Sequence, residues 1–419
     1  MGEWLKKIEN NLIVGLDIGT SKVVAIVADV LPDGRLDIIG IGSHPSRGMK
    51  KGIVVNIDAT VQSVQRAVEE AELMAGCEIH SVYTGIAGSH IHSFNSHGFV
   101  AVKSGEVSKE DVARAIEAAK AVSIPSEQKI LHVLPQEYTV DHQEGIYDPV
   151  GMAGMRLEGK VHIVTGAVSA AQNIVNCIRR CGLEVDDMIL EQLASSYAVL
   201  TEDEKQLGVC MIDIGGGTTD IAVYIDGAIR HTSVIPVAGD QLTNDLAVAF
   251  RTPHQSAEAI KIKHGCAARQ LADKTHVIKL PSVGQNKEQH ITQVDLAEII
   301  EPRYEELFAL VLDELQRFGF DGLLGAGVVL TGGSAKMAGV LELAEYIFQS
   351  HVRLGIPRHV YGMPDVISNP IFATGIGLLL YGQQMQGGIQ SKSNSNANNT
   401  YQNLNNIFGR VKNWFQGNF

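Results

Sequence analysis

The same short pattern occurs twice in this chain, first as LIVGLDIGTSK at 12–22 and again as VCMIDIGGGTTD at 209–220. Each copy opens with an apolar run that reads as a buried strand. Each ends that strand on an aspartate followed by small residues, then resumes as VVAIVAD (23–29) or IAVY (221–224). The pattern predicts strand, tight turn, strand, with a turn almost bare of side chains. Gly19, Gly215, Gly216 and Gly217 let backbone N–H groups approach an anion closely. Thr20, Ser21, Thr218 and Thr219 add hydroxyl donors. Asp17 and Asp213 would repel a bare phosphate, and they make sense if a hard cation lies between. Two such hairpins face to face would clamp a nucleoside triphosphate and its magnesium. The other common cradle, G-x-x-x-x-G-K-[ST], is absent, and each Gly-rich turn here leads into strand rather than helix.

GVVLTGGSAKM at 327–337 supplies a third element: a strand, then Gly332 and Gly333, then Ser334 opening a predicted helix. Paired glycines at such a junction let a flat base or ribose lie against backbone. The order of the three elements resembles the actin, Hsp70 and sugar-kinase superfamily. That resemblance implies an α/β fold, actin/Hsp70-like, with two ribonuclease-H-like halves around a nucleotide cleft.

The chain has 419 residues, 45% of them hydrophobic, enough for two or more domains. Its net charge of −13 argues against a general nucleic-acid binder. The start, MGEWLKKIEN, lacks the apolar stretch of a signal peptide, and Lys6 stands where myristoylation needs Ser or Thr. No run approaches the ~20 apolar residues of a membrane span. The cysteines at 77, 177, 181, 210 and 266 have no zinc-site spacing, which fits a reducing cytoplasm. Cys177 and Cys181 share a helical face with Ile174 and Ile178 and read as buried thiols. His90, His92 and His97 read as a polar loop rather than a metal site.

Residues 1–83 and 161–207 read as the first half, including a helix capped by Asp58 and a strand at HIVTGAV. Residues 84–160 read as an inserted α+β subdomain, with a helix capped by Ser108. The second half occupies 208–239 and 301–382, with its own insertion at 240–300. Residues 383–403, rich in Asn, Ser, Gln and Gly, have almost nothing to bury and read as a disordered linker spanning about 25 Å.

The last segment, 404–419, has a different character. On a helical wheel Leu404, Ile407, Phe408, Val411, Trp414, Phe415 and Phe419 fall within an arc of roughly 140°. Arg410 and Lys412 flank it, and no acidic residue occurs from 383 onward. This is the composition of an interfacial helix that inserts apolar side chains among anionic lipids. Gly409 and Gly417 favour folding on contact over folding in water.

Longer segments narrow the resemblance. SRGMKKGIV (46–54), HVLPQEYTVDHQEGIYDPVGM (132–152), TPHQSAEAIKIKHG (252–265) and LAEIIEPRYEEL (296–307) are similar to the bacterial cell-division family FtsA. The family implies ATP with Mg2+, filament formation by self-association, and a peripheral place on the cytoplasmic face of the inner membrane at the division site. It implies binding of the FtsZ C-terminal peptide and recruitment of later division proteins through the 84–160 insert. It places Asp17, Thr20, Ser21 and Lys22 in the first phosphate motif and Asp213 through Thr219 in the second. Gly332, Gly333 and Ser334 fall in the adenosine loop, Glu258 and Lys261 on the purine side, and Arg303 in the FtsZ-tail region. Asp17 and Asp213 would hold magnesium through water. Glu191 falls where the superfamily positions the attacking water, or is an ordinary helix-surface carboxylate. Slow hydrolysis is expected, with nucleotide acting mainly as a polymerisation switch. A pilus-assembly scaffold or a sugar kinase of the same superfamily are the alternatives.

Overall fold

The computed structural model describes residues 12–282 and 288–390. β1 (Leu12–Ile18), β2 (Lys22–Val30) and β3 (Leu36–Pro45) form an antiparallel meander, and the short β4 (Met49–Lys50) and β5 (Ile53–Val54) follow as a separate hairpin. Helix α1 (Ile57–Ala75) is capped by Asn56, whose side chain accepts from Ala59 N at 3.0 Å. The expected cap, Asp58, is the second residue of the helix's first turn and pairs with Arg180 at 2.8 Å, because Asn56 already satisfies the open donor. β6 (Ser81–Ile86) then lies parallel to β1.

The insert comprises β7 (His92–Ala101), α2 (Lys109–Lys120), β8 (Gln128–Val140), β9 (Gln143–Ile146) and β10 (Arg156–Ala167). Ser108 caps α2 in a reciprocal pair with Asp111, as expected. The insert has its own core of Val102, Ala115, Ile116, Tyr138, Leu157 and Ile163. β10 pairs with β7 and β8 along nearly its whole length. The boundary expected at 160 therefore moves to about 167, and HIVTGAV belongs to the insert's sheet. Its apolar run is buried between the insert and the first half, which is why it reads as core of either. His92 and His97 lie on β7 rather than in a loop, with His97 bonded to Glu158 at 2.8 Å.

α3 (Val168–Arg180), β11 (Glu184–Leu190), α4 (Glu191–Val199) and α5 (Glu202–Leu207) complete the return. Cys177 is buried on α3, but Cys181 caps the helix end and is only half-buried. The second half repeats the first. β12 (Val209–Ile214), β13 (Thr219–Ile225) and β14 (Ala228–Ile235) form a second meander. Its excursion comprises α6 (Gly239–Ala249), α7 (His254–His264), β15 (Val277–Pro281) and β16 (Glu288–Thr292). α8 (Gln293–Arg317) runs through the boundary expected at 300, since the Thr292–Asp295 capping box starts it earlier. β17 (Gly327–Thr331), α9 (Val340–Phe348) and β18 (Val352–Leu354) follow. A 3-10 turn, Ser334–Lys336, stands where a helix was expected directly after the paired glycines.

The chain then crosses back. β19 (Val360–Gly362) joins β3 in the first sheet, whose order is β11-β6-β1-β2-β3-β19. After α10 (Pro364–Ile367), helix α11 (Ala373–Gln390) buries Ile376, Leu378 and Leu379 in the core shared by Leu16, Ile26 and Ala194. Residues 360–382 thus belong to the first half, correcting their expected place in the second. The linker expected from 383 is likewise corrected, since α11 continues to Gln390. Tyr381 stacks on Tyr197 and donates to Asp187 Oδ2 at 2.8 Å, and Gln383 donates to Gly34 O. These contacts hold as helix a polar stretch whose composition suggests coil. Among the described residues no helix is long and apolar enough to cross a membrane.

Candidate functional site

Both meanders place their first turn at the same end of their sheets, and the two turns meet. A Cβ on Gly216 would run into Ser21 Oγ, and one on Gly217 would come within 2.5 Å of Thr20 Oγ1. Only glycine allows this approach. Ser21 Oγ reaches Asp240 Oδ1 at 3.2 Å at the start of α6, and Thr20 Oγ1 accepts from Gly52 N at 3.1 Å. Gly19 and Gly215 form the flanks of the two turns, with their own residues Lys22 O and Thr218 O beside them.

Four carboxyl groups converge beneath these turns. Asp17, Asp213 and Asp220 are buried, and Glu191 is half-buried at the first position of α4. Burial pushes the Asp17 carboxyl up to about 6, opposed by Lys22 and reinforced by Asp213. Asp220 rises to about 8, through burial first and then the charges of Asp213 and Asp17. Glu191 is raised well above the ordinary range by burial and by the same three aspartates. Asp213 is raised by burial, against the bonds it accepts from Ser195 Oγ (2.6 Å) and Thr374 Oγ1 (3.3 Å). Lys22 falls to about 8, mainly by burial. Its ammonium donates to Ile371 O at 3.1 Å and lies 4.7 Å from the Phe372 ring centroid.

Asp220 was not singled out from sequence. Thr218 Oγ1 donates to its Oδ2 at 3.0 Å, while its Oδ1 is buried without a hydrogen-bond partner. The signal available was the acid closing DIGGGTTD, which strand alternation puts on the same face as the turn. Thr219 faces the other way. It is fully buried and donates to Val237 O at 2.8 Å, so its expected place among the cradle hydroxyls is corrected.

The third element does come to the second turn. Gly332, at φ +87°, presses on Asp213 and on the Ile214 carbonyl, where a Cβ would clash. Ser334 Oγ donates to Gly215 O at 3.0 Å, and Tyr304 Oη fixes the Ser334 carbonyl at 2.8 Å. Gly333 lies near Ile371. On α7, Glu258 and Lys261 form a 2.7 Å ion pair, and Lys261 Nζ also donates to Gly239 O (3.0 Å) and Thr243 Oγ1 (2.8 Å). Arg303 stands apart on α8. It pairs with Asp245 at 2.7 Å and with Glu306, beside a small hollow lined by Gly239, Leu242 and Tyr304. The residues 404–415 expected to meet membrane lie outside the described residues.

Buried carboxylates with one lysine among them and an orphaned oxygen fit a bound cation. Among the described residues no group of three or more His, Cys, Asp or Glu is arranged to hold a metal directly. The donor set therefore fits a cation held through water and ligand oxygens, as magnesium is.

Solved structures share this architecture. A PilM–PilN type IV pilus biogenesis complex superposes with a TM-score of 0.66, covering 88% of this chain and 98% of that one at 17% identity. MreB5 of Spiroplasma citri bound to ADP gives 0.57, covering 91% and 99% at 15% identity. These likenesses establish an actin-like ATPase fold. The family model for Cell division protein FtsA matches residues 210–377, and that for the SHS2 domain inserted in FTSA matches 88–165. The chain is 59% identical to Cell division protein FtsA of Pseudomonas aeruginosa over 97% of its length and 98% of that protein's. It is 49% identical to the Escherichia coli K12 protein of that name, covering 91% and 92%. With such identity over nearly the whole of both chains, on this fold and with this insert, the chain belongs to the FtsA family of cell division proteins.

Proposed function

We propose that this chain binds ATP with magnesium between its two halves, polymerises on the inner membrane, and anchors FtsZ filaments there. The observation that carries the nucleotide reading is the buried acid cluster, with the orphaned Asp220 oxygen, beneath two facing glycine turns. Thr20, Ser21, Lys22, Thr218 and the turn backbones would hold phosphates. Asp17, Asp213 and Asp220 would orient the water around magnesium. Glu258, Lys261, Gly332, Gly333 and Ser334 would flank the nucleoside. A magnesium ion held there would supply neutralisation of the phosphate charge. Glu191 would orient the attacking water. With one such group, hydrolysis is slow and nucleotide serves mainly to switch polymerisation. Family membership sets aside the sugar kinase, and the pilus-complex likeness, at 17% identity, speaks to fold alone.

The membrane reading rests on the composition of 404–419. Each of its large apolar side chains would gain about 1.5–3 kcal/mol if fully buried, reduced by shallow immersion and by ordering the helix. Arg410 and Lys412 add about 1 kcal/mol each near an anionic leaflet. Cosedimentation with anionic liposomes checks this. Phe415→Glu, near the centre of the apolar arc, is expected to release the protein to the supernatant, and Asn413→Glu, on the far face, to do so much less. Equal loss from both would overturn a helix lying flat on that face.

The FtsZ reading places the FtsZ C-terminal peptide near Arg303, with later division proteins meeting the insert. Because Arg303 already pairs with Asp245 and Glu306, Arg303→Gln is a cleaner test than charge reversal. Loss of a charge-assisted hydrogen bond is expected to weaken peptide binding by about tenfold, read by fluorescence anisotropy, with the melting temperature measured alongside. Wild-type affinity in that variant would remove Arg303 from the peptide site.

A further inference from the structure

Helix α4 begins without a side-chain cap. Its N-cap residue, Leu190, carries no oxygen to offer the open N–H groups of the first turn. The backbone at this point is held from elsewhere. Leu190 N donates to His132 Nε2 at 3.0 Å, and His132 belongs to β8 of the insert. The bond is buried, and the ring is only 8% exposed. With Nε2 accepting, the ring proton sits on Nδ1. Burial pushes the imidazole down to about 4, so it remains a neutral acceptor at physiological pH. The next residue along the chain is Glu191.

The side chain of Glu191 is constrained from a second direction. Gly85 on β6 lies opposite Ile189 in the parallel pairing with β11. A Cβ at Gly85 would come 2.7 Å from Glu191 Cγ and 3.0 Å from its Oε1. Gly85 thus leaves the space that the carboxylate fills. The insert in turn is tied to the second half. Gln136 Nε2 donates to Ile229 O at 2.8 Å, Ser93 Oγ to Thr232 O at 2.8 Å, and His162 Nε2 meets Thr232 Oγ1 at 3.0 Å. A shift between the two halves therefore has a polar path through the insert to the backbone beside Glu191.

We propose that His132 and Gly85 are positioning residues for Glu191: the insert's imidazole fixes the backbone from which Glu191 projects, and Gly85 keeps clear the space its carboxylate occupies. The insert thereby sets the hydrolysis rate of the neighbouring cleft. This rests on Glu191 orienting the attacking water.

The test is single-turnover hydrolysis of bound ATP by the full chain, with the Kd for Mg-ATP and the melting temperature measured in parallel. Misplacing a catalytic group by about 1 Å costs up to about a hundredfold. His132→Leu and Gly85→Ala are therefore expected to slow hydrolysis at least about tenfold, while Kd moves less than about threefold. His132→Gln, whose amide oxygen replaces the acceptor, is expected to restore most of the rate. In a Glu191→Gln background neither substitution is expected to slow the reaction further. If Glu191→Gln itself hydrolyses at the wild-type rate, the reading of Glu191 fails and takes the proposal with it. If Glu191→Gln is slow while His132→Leu and Gly85→Ala are not, the proposal alone fails. Losses that persist undiminished in the Glu191→Gln background would mark a general structural effect and also overturn it. Should His132→Leu not fold, Gly85→Ala carries the same comparison, since its backbone is not left-handed and its added methyl meets only Glu191 among its near neighbours.

Discussion

Nucleotide-free protein, in the presence of a chelator, is expected to lose stability as pH rises from about 5.5 to about 8. The direction follows from the acid cluster. Asp220 has an ordinary value of 3.8 and a folded value of about 8. Between these the folded chain keeps a proton that the unfolded chain has released. The native state then binds more protons, and unfolding becomes easier with each rise in pH. One such group contributes a slope of up to about 1.4 kcal/mol per pH unit. Asp17, raised to about 6, adds to the slope in the lower part of the window, and Glu191 and Asp213 act in the same direction. Lys22 works the other way above pH 8. Its ammonium is lowered from 10.5 to about 8, so there the unfolded chain binds more protons and stability recovers. Urea midpoints at several pH values would read this directly. Asp220→Asn is expected to flatten the slope and raise the midpoint at pH 8, because it removes a buried charge whose charged neighbours are acids. A wild-type midpoint that is level across this window would contradict the cluster's electrostatics.

Asp213→Asn is expected to weaken Mg-ATP binding by roughly 10–100-fold, the usual cost of losing a group that orients a metal's ligands. Asparagine keeps an acceptor for Ser195 Oγ and Thr374 Oγ1. The fold should therefore survive while the charge is lost. The informative control is ATP without magnesium. Removing a carboxylate beside the phosphates relieves repulsion, so metal-free ATP should bind no worse, a comparison made in the same titration. The gain in affinity that magnesium confers should shrink accordingly. Calorimetry with and without EDTA separates the two arms. An unchanged magnesium dependence would show that Asp213 does not face the ion.

Much of this site was legible because its signals are local. A run such as LIVGLDIG specifies a buried strand and a bare turn within a dozen residues, whatever packs against it. The repeat of that pattern at 209–220 predicts the twofold plan that β1–β3 and β12–β14 adopt. Ser108 and Asp111 cap α2 through side chains three residues apart, and that too is local.

Tertiary structure decided the rest, for the reason that burial and register depend on surfaces distant in sequence. Composition marks 383–390 as coil, yet it is helix, because α11 is docked by Tyr381 and by the residues it buries against α4. Nothing local sends β19 back to β3, since a three-residue strand takes its identity from its partner. Thr219 and Asp220 differ little as sequence. Alternation along β13 turns one into the sheet and leaves the other's oxygen unpaired among acids. Asp17 and Asp213 could be named from the chain alone, but their burial beside Glu191, and the reach of His132 from the insert to Leu190, exist only once the chain has folded.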